Sequence, residues 1–163
     1  MLAQKQSELD KIMHNSLQNV TEQYRELELT VNLNKSNLMT LTNNIRDKTT
    51  QTVEMEKSLL QSTEHVKFLG MEIDKYLNFD KHIDKVCNKL CSGIYILRTL
   101  NKLLNEQDRT SIYYGVIYPH LTYGILIWGG TYTAHVDRVF TLQKQAIRTI
   151  FKMKRNESCR TLF

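Results

Sequence analysis

The spacing of apolar side chains along the chain predicts three long helices. Over residues 4–29, apolar residues recur at steps of three and four, which is the period of an amphipathic helix with one buried stripe. The same period runs from Asp80, a candidate N-cap, to Leu104, and again from Thr133 or His135 to Lys154. The residues predicted to face the core from these last two helices are Ile83, Val86, Leu90, Ile94, Leu97, Val136, Val139, Phe140, Gln143, Ile147 and Ile150.

The region between the first two helices shows shorter, strand-like patterns. Residues 32–41 predict a strand–turn–strand or one strand entered by a loop, and residues 42–64 predict a loop or weak strands with a helical turn at 54–60. Apolar residues alternate from Val66 to Ile73 around Gly70, and a glycine inside a strand allows close backbone approach or marks a bulge. The chain is therefore predicted to be mainly α with a small β portion, an α+β fold.

A shorter helix is predicted after residue 104. Asn105 occupies the cap position and Asp108 follows three residues later, in capping-box register. This helix is predicted to bury Ile112, Val116 and Tyr113. Pro119 should end or kink it, because proline lacks the amide donor and clashes with the preceding turn. The aromatic group Tyr113, Tyr114, Tyr118, Tyr123 and Trp128 is predicted to be mostly core, with stacking on bases as the alternative.

Charge is distributed unevenly between the two halves. Residues 1–74 carry 8 Lys and Arg against 11 Asp and Glu, whereas residues 75–163 carry 14 against 6. Such a split indicates that the basic half meets a polyanion, most commonly nucleic acid; a basic surface that serves solubility alone is the alternative.

Part of the positive charge of residues 75–163 lies in two stripes of regularly spaced basic residues. Lys81, Lys85 and Lys89 follow one another at four-residue steps, so they share one face of the predicted helix. Like charges at this spacing repel, and phosphates along the face would remove the repulsion. A solvated helix face is the alternative. The same spacing recurs near the end of the chain at Lys144, Arg148 and Lys152.

An ordered series of short motifs points to a family. The series consists of Asn32-Leu33-Asn34-Lys35-Ser36, Phe68-Leu69-Gly70, Ile73-Asp74, His82-Ile83, Tyr118-Pro119-His120-Leu121-Thr122-Tyr123-Gly124, Trp128-Gly129 and Leu142-Gln143-Lys144-Gln145-Ala146-Ile147-Arg148. In this order, the motifs resemble the stretch that follows the catalytic core in reverse transcriptases of non-LTR (LINE-type) retrotransposons. The resemblance implies a partial palm with a few antiparallel strands and the primer grip in residues 1–74, and a basic helical thumb and connection region in residues 75–163.

The resemblance also implies roles for individual residues. Phe68, Leu69 and Gly70 would contact the primer backbone, although an ordinary buried strand is the other interpretation of these residues. The two basic stripes would contact an RNA–DNA or DNA duplex. Lys35 matches a lysine that lies near the phosphates of the incoming nucleotide and acts as a general acid, and here that role would be vestigial. Without the resemblance, Lys35 is an ordinary surface residue.

The motif that performs the chemistry in this family is missing from the sequence. No Tyr/Phe-X-Asp-Asp occurs, and Met1 falls just downstream of where the metal-binding pair would lie. We therefore expect a truncated RNA-directed DNA polymerase with no catalytic residues, metal or cofactor of its own, although the parent enzyme would need Mg²⁺. Such a fragment would bind primer–template and associate with a missing palm and fingers portion. A helical protein-interaction module and a decayed copy without function are the alternatives.

Cysteine content and hydropathy indicate the cellular compartment of the protein. Three Cys and no apolar leader argue for an intracellular protein, nuclear or cytoplasmic and not secreted. No apolar run approaches the roughly 20 residues that span a bilayer, so no membrane association is expected. His82, Cys87 and Cys91 offer three zinc ligands without a fourth at a matching spacing, and the two cysteines are predicted to be small core residues.

Overall fold

The computed structural model describes residues 2–44, 52–55 and 58–162. It forms two compact units, residues 1–66 and 67–163. The α+β prediction is confirmed: helices dominate, and the described residues include two small antiparallel sheets. None of the described helices is long and apolar enough to cross a membrane.

The first unit begins with the long helix that the apolar period predicts. Helix α1 spans Leu2–Glu26, three residues shorter at its end than predicted. The predicted strand over residues 32–41 is wrong, because Leu33–Lys35 is a 3₁₀ turn and the segment has one isolated bridge, Leu38 to Ser62. Strands β1 (Thr52–Met55) and β2 (Ser58–Gln61) pair antiparallel, with Val53 opposite Leu60. The helical turn predicted at 54–60 is therefore also wrong.

The second unit is a helical assembly preceded by a hairpin. Strand β3 (His65–Phe68), within which the unit boundary falls, pairs with β4 (Met71–Asp74). Helices α2 (Asp80–Leu100), α3 (Glu106–Ile112), α4 (Tyr118–Thr122), α5 (Ile125–Trp128) and α6 (Thr133–Ile150) follow. A π-helical turn, Tyr113–Ile117, connects α3 to α4, and a 3₁₀ turn, Arg160–Leu162, lies near the end of the chain.

Helix α2 is the central element of this unit and packs against α6 and the π turn. All five residues predicted for its inner stripe are buried. On α6 the stripe is partly different: Phe140 is 42 % exposed, and Ala146, which was not predicted, is fully buried. Cys87 is buried as expected, whereas Cys91 is exposed, so the core prediction for Cys91 is wrong.

The π turn changes which side chains reach the core. Asn105 caps α3 as predicted, its Oδ1 accepting the Asp108 amide at 2.9 Å. The helix then continues through the wide turn into α4, with Pro119 in its first turn, where proline is tolerated. Because a π turn adds a residue, Ile117 is buried and the predicted Val116 is exposed.

The aromatic group is divided between core and surface. Tyr113 and Trp128 are buried, and the indole N–H of Trp128 donates to the Tyr123 carbonyl at 2.8 Å. Tyr114, Tyr118 and Tyr123 are exposed, so the core prediction is wrong for these three. The outward position of Tyr123 bears on the surface described next.

Candidate nucleic-acid interface

The β3–β4 hairpin presents its turn to solvent. Leu69 and Gly70 both have positive φ angles, 47° and 84°, as the two central residues of a tight hairpin turn require. The prediction of a glycine inside a strand is therefore wrong, because Gly70 lies in the turn. Phe68 is 58 % and Leu69 71 % exposed, which excludes the buried-strand interpretation. The Tyr123 hydroxyl donates to the Leu69 carbonyl and ties the turn to the segment after α4.

A buried carboxylate connects this hairpin to α2. The side chain of Asp74 accepts the backbone amides of Tyr76, Asn78 and Phe79, the last at 2.6 Å. Phe79 is the N-cap residue of α2, in the left-handed conformation, and Asp80 is the first helical residue, so the prediction of Asp80 as the cap is wrong. Asp74 thereby fixes where the lysine-bearing face of α2 begins.

Lysines surround one acidic side chain where β4 meets α2. Lys85 forms an ion pair and hydrogen bond with Glu72. This hydrogen bond, followed by the charges of Lys85, Lys67 and Lys81, holds the pKa of the Glu72 carboxyl below its usual 4.5, although partial burial opposes the shift. One carboxylate thus lies among three cations, and the surface around it keeps a net positive charge.

An open groove of about 660 Å³ runs along this surface. We call it the basic groove. It joins the hairpin turn, the first half of α2 and the α4 region within the second unit. Its lining residues are Lys67, Gly70, His82, Lys85, Val86, Asn88, Lys89, Pro119, His120 and Tyr123.

His82 is the buried polar residue of the basic groove. It is only 5 % exposed, and in the described structure neither ring nitrogen has a hydrogen-bond partner. Its ring lies 6.1 Å from that of Trp128. Burial is the main cause that lowers the pKa of His82 below its usual 6.5, so the imidazole is neutral at pH 7. A neutral imidazole offers one donor and one acceptor.

The second basic stripe is not a continuous helical face. Helix α6 ends at Ile150, so Lys152 lies beyond it, with a positive φ of 51°. Lys144 Nζ lies 4.4 Å from the centre of the Phe140 ring, and Arg148 Nε donates to the Glu157 carbonyl at 2.9 Å. Lys144 and Arg148 therefore already have partners within the chain.

Lys35 lies in the other unit. It ends the 3₁₀ turn instead of a strand, and its side chain is exposed. Across the described ranges, no group of three or more His, Cys, Asp or Glu side chains is placed to hold a metal ion. The structure therefore gives Lys35 no local metal site to act with, and its assigned role stays a prediction from the resemblance.

Seven of the ten residues that line the basic groove were not among the predicted nucleic-acid-binding residues: Lys67, His82, Val86, Asn88, Pro119, His120 and Tyr123. His82 was predicted as part of a family motif and as a possible zinc ligand, and base stacking was the alternative role for Tyr123. Lys67 and His120 were given no individual role. His82, His120 and Tyr123 lie within the quoted motifs and Lys67 lies beside one, which is the signal in the sequence that could have found them. Of the predicted residues, Gly70, Lys85 and Lys89 line the groove together.

Comparison with known proteins identifies relatives of the chain. It is 30% identical over 126 residues to an RNA-directed DNA polymerase from the mobile element jockey of Drosophila funebris, and the match covers 75% of the chain. It is 26% identical over 133 residues, 80% of the chain, to a probable RNA-directed DNA polymerase from the transposon X-element of Drosophila melanogaster. A probable RNA-directed DNA polymerase from the transposon BS of Drosophila melanogaster is 28% identical over 104 residues. No protein-family profile and no solved structure matches the chain.

All of these relatives are RNA-directed DNA polymerases of mobile elements. The chain is homologous to a segment of the RNA-directed DNA polymerases of non-LTR elements, which confirms the resemblance drawn from its motifs. The aligned part amounts to 14% of the X-element protein and 13% of the Drosophila funebris jockey protein, so the chain spans only a small part of each relative.

Proposed function

We propose that this chain is a primer–template-holding segment of an RNA-directed DNA polymerase, in which the basic groove contacts the backbone of an RNA–DNA or DNA duplex. Phe68, Leu69 and Gly70 would contact the primer strand, and Lys81, Lys85 and Lys89 would contact phosphates. The observation that carries the proposal is the convergence of lysines from β3 and α2 beside an exposed hairpin turn.

The geometry supports backbone contacts more than base reading. Lys81, Lys85 and Lys89 lie on the exposed side of α2, and the opposite side of the helix carries its buried core residues. Ammonium groups on a helix face bind phosphates as point charges without regard to sequence. Lys85 is the exception within the set, since it is paired with Glu72 and would have to share that contact with a phosphate.

Salt dependence tests this proposal directly. We expect the logarithm of the affinity of the whole chain for a short RNA–DNA hybrid to fall linearly with the logarithm of salt concentration, with a slope of about −2 to −3 for three phosphate contacts. Lys89→Gln should make that slope shallower by about 1.

A matched variant separates this effect from general loss of charge. Lys102→Gln removes the same charge from an exposed residue in the turn after α2, outside the groove lining, and should leave the slope unchanged. Equal effects of the two variants would contradict a groove-specific contact. Absence of hybrid binding by folded protein would overturn the proposed function.

We also propose that nucleotide incorporation needs parts of the polymerase that this chain does not supply. Two-metal phosphoryl transfer depends on carboxylates that hold Mg²⁺, and the described residues do not fit such a site. A primed-template assay with Mg²⁺ should therefore show no incorporation by the purified chain. Incorporation abolished by a chelator would contradict this statement.

A second candidate function rests on α1. Its apolar residues Ile12, Val20 and Tyr24 are 58 %, 41 % and 42 % exposed, and such a face fits an apolar helix of a partner protein. Pairing through apolar surface should change little with salt, unlike hybrid binding. Sedimentation of the chain at high salt, with Val20→Glu as the disrupting variant, would reveal pairing with a second copy.

A further inference from the structure

We propose that the basic groove accepts one unpaired nucleotide of the bound nucleic acid, with its phosphate at Lys85 and Lys89 and its base beside His82. This inference rests on the proposed function and deepens it, because backbone contact alone does not require anything to enter the groove. The inference is carried by His82, which we call the floor of the groove, together with Lys85 and Lys89, which we call its rim.

The floor of the groove contains a polar group that the protein itself leaves unsatisfied. The Nδ1 and Nε2 atoms of His82 are both buried, and no hydrogen-bond partner for either is found among the described residues. A buried polar group without a partner is destabilising, and a ligand that hydrogen-bonds to it would recover the lost interaction. Neutral His82 presents a donor and an acceptor, as does the edge of a nucleobase, where donors and acceptors lie side by side.

The walls of the groove suit the face of a base. Pro119 and Val86 contribute apolar surface, and the exposed ring of Tyr123 lies at the rim, held by its hydrogen bond to the Leu69 carbonyl. A base stacked on an aromatic side chain gains about 1–3 kcal/mol, whichever base it is. The groove volume of about 660 Å³ lies within the range of roughly 300–1,000 Å³ that holds small ligands.

The rim supplies the charge that a nucleotide needs. Lys89 and Lys85 are exposed on α2 one helical turn apart and border the same groove as His82. A paired duplex keeps its bases stacked inside and offers only its phosphates to these lysines. An unpaired nucleotide offers both a phosphate to Lys85 and Lys89 at the rim and a base to His82 at the floor.

The test compares two hybrids that differ only in one nucleotide. The whole chain is titrated with a blunt RNA–DNA hybrid and with the same hybrid carrying a single unpaired 2-aminopurine nucleotide at one end. We expect the overhang to bind about 5- to 150-fold tighter, the ratio that corresponds to one stacked base. We also expect the fluorescence of 2-aminopurine to change on binding, because its stacking partner changes.

Variants assign the preference to the groove. His82→Phe keeps a ring of similar size but removes both nitrogens, and the overhang-to-blunt affinity ratio should fall towards one. His135→Phe is the matched control, because His135 also has an unpaired ring nitrogen, Nδ1, in the same unit but does not line the groove. That control should keep the wild-type ratio. Far-ultraviolet circular dichroism verifies that each variant is folded, because His82→Phe directly alters the surroundings of Trp128.

Each result of this test either supports the inference or overturns it. A wild-type ratio near one, with tight binding to both hybrids, overturns this inference and leaves the proposed function standing. A high ratio that His82→Phe leaves unchanged in folded protein also overturns it. Binding to neither hybrid overturns the inference together with the proposed function. Competition by a free nucleoside monophosphate against the overhang would show that the groove takes the nucleotide itself, independently of the duplex.

Discussion

Helix α2 and the π turn are in close contact at Gly93. A single methyl group added at this position should therefore have a clear effect on stability. A Cβ atom at Gly93 would lie 2.5 Å from Cγ1 and 3.1 Å from Cδ1 of Ile117. Ile117 is fully buried, so its side chain has nowhere to move without displacing other core residues. Gly93→Ala should therefore overpack this contact.

The magnitude follows from two opposing effects. Overpacking a well-packed core costs about 1–3 kcal/mol, whereas replacing glycine by alanine inside a helix gains about 1 kcal/mol. We expect Gly93→Ala to lower the free energy of unfolding by up to about 2 kcal/mol. Urea unfolding followed by the fluorescence of buried Trp128 measures this change.

A double-mutant cycle tests whether the clash with Ile117 explains the effect of Gly93→Ala. In an Ile117→Ala background the clashing atoms are gone, so Gly93→Ala should stabilise by about 1 kcal/mol, a reversal of sign. Gly115→Ala is the control, because a Cβ atom there meets nothing within 4 Å. An equal loss of stability from Gly93→Ala in both backgrounds would refute the steric explanation.

Three further predictions concern the hairpin, the buried arginine and the buried histidine. Leu69→Asn should raise stability by about 1 kcal/mol, because asparagine tolerates the left-handed conformation that costs leucine energy; a lower melting temperature would contradict this. Arg109→Met should cost about 3 kcal/mol in urea unfolding, because it removes the hydrogen bonds from Arg109 to the Leu104 carbonyl and, at 2.7 Å, to the Ile150 carbonyl; a loss below about 1 kcal/mol would argue against their importance. Acidification below pH 6.5 should lower the free energy of unfolding, because burial lowers the pKa of His82 and the unfolded chain takes up a proton that the folded chain resists. His82→Phe should flatten this dependence by at most about 1.4 kcal/mol per pH unit, and an unchanged slope would contradict the assignment.

The long helices were predictable from the sequence because their buried residues follow one uninterrupted periodic pattern. The inner stripe of α2 repeats at steps of three and four from Ile83 to Leu97, and every predicted member is buried. The π turn breaks that regularity by one residue, which is why the burial of Ile117 in place of Val116 could not be read from spacing. Hydrogen-bond geometry, not side-chain type, creates the shift.

The candidate site was only partly predictable for a related reason. The lysines of α2 share a helix, so their common face follows from spacing alone. The contribution of Tyr123 depends on a hydrogen bond to Leu69 across 54 positions, and no local pattern encodes such a pairing. The break in the second stripe before Lys152 depends on where α6 ends, and helix ends are poorly determined by periodicity.

The three amide contacts of Asp74 make the start of α2 depend on a residue outside the helix. A helix usually carries its own starting signal in the side chain of its cap residue, but α2 begins at Phe79, an apolar residue in a left-handed conformation. The oxygen atoms that organise its start belong to the end of β4. The start of α2 is thus coupled to the end of β4 as well as to its own helix, in which the Ile83 amide donates to the Phe79 carbonyl at 2.9 Å. A change that destabilises the β3–β4 hairpin should therefore also loosen the helix start that orients the groove's lysines.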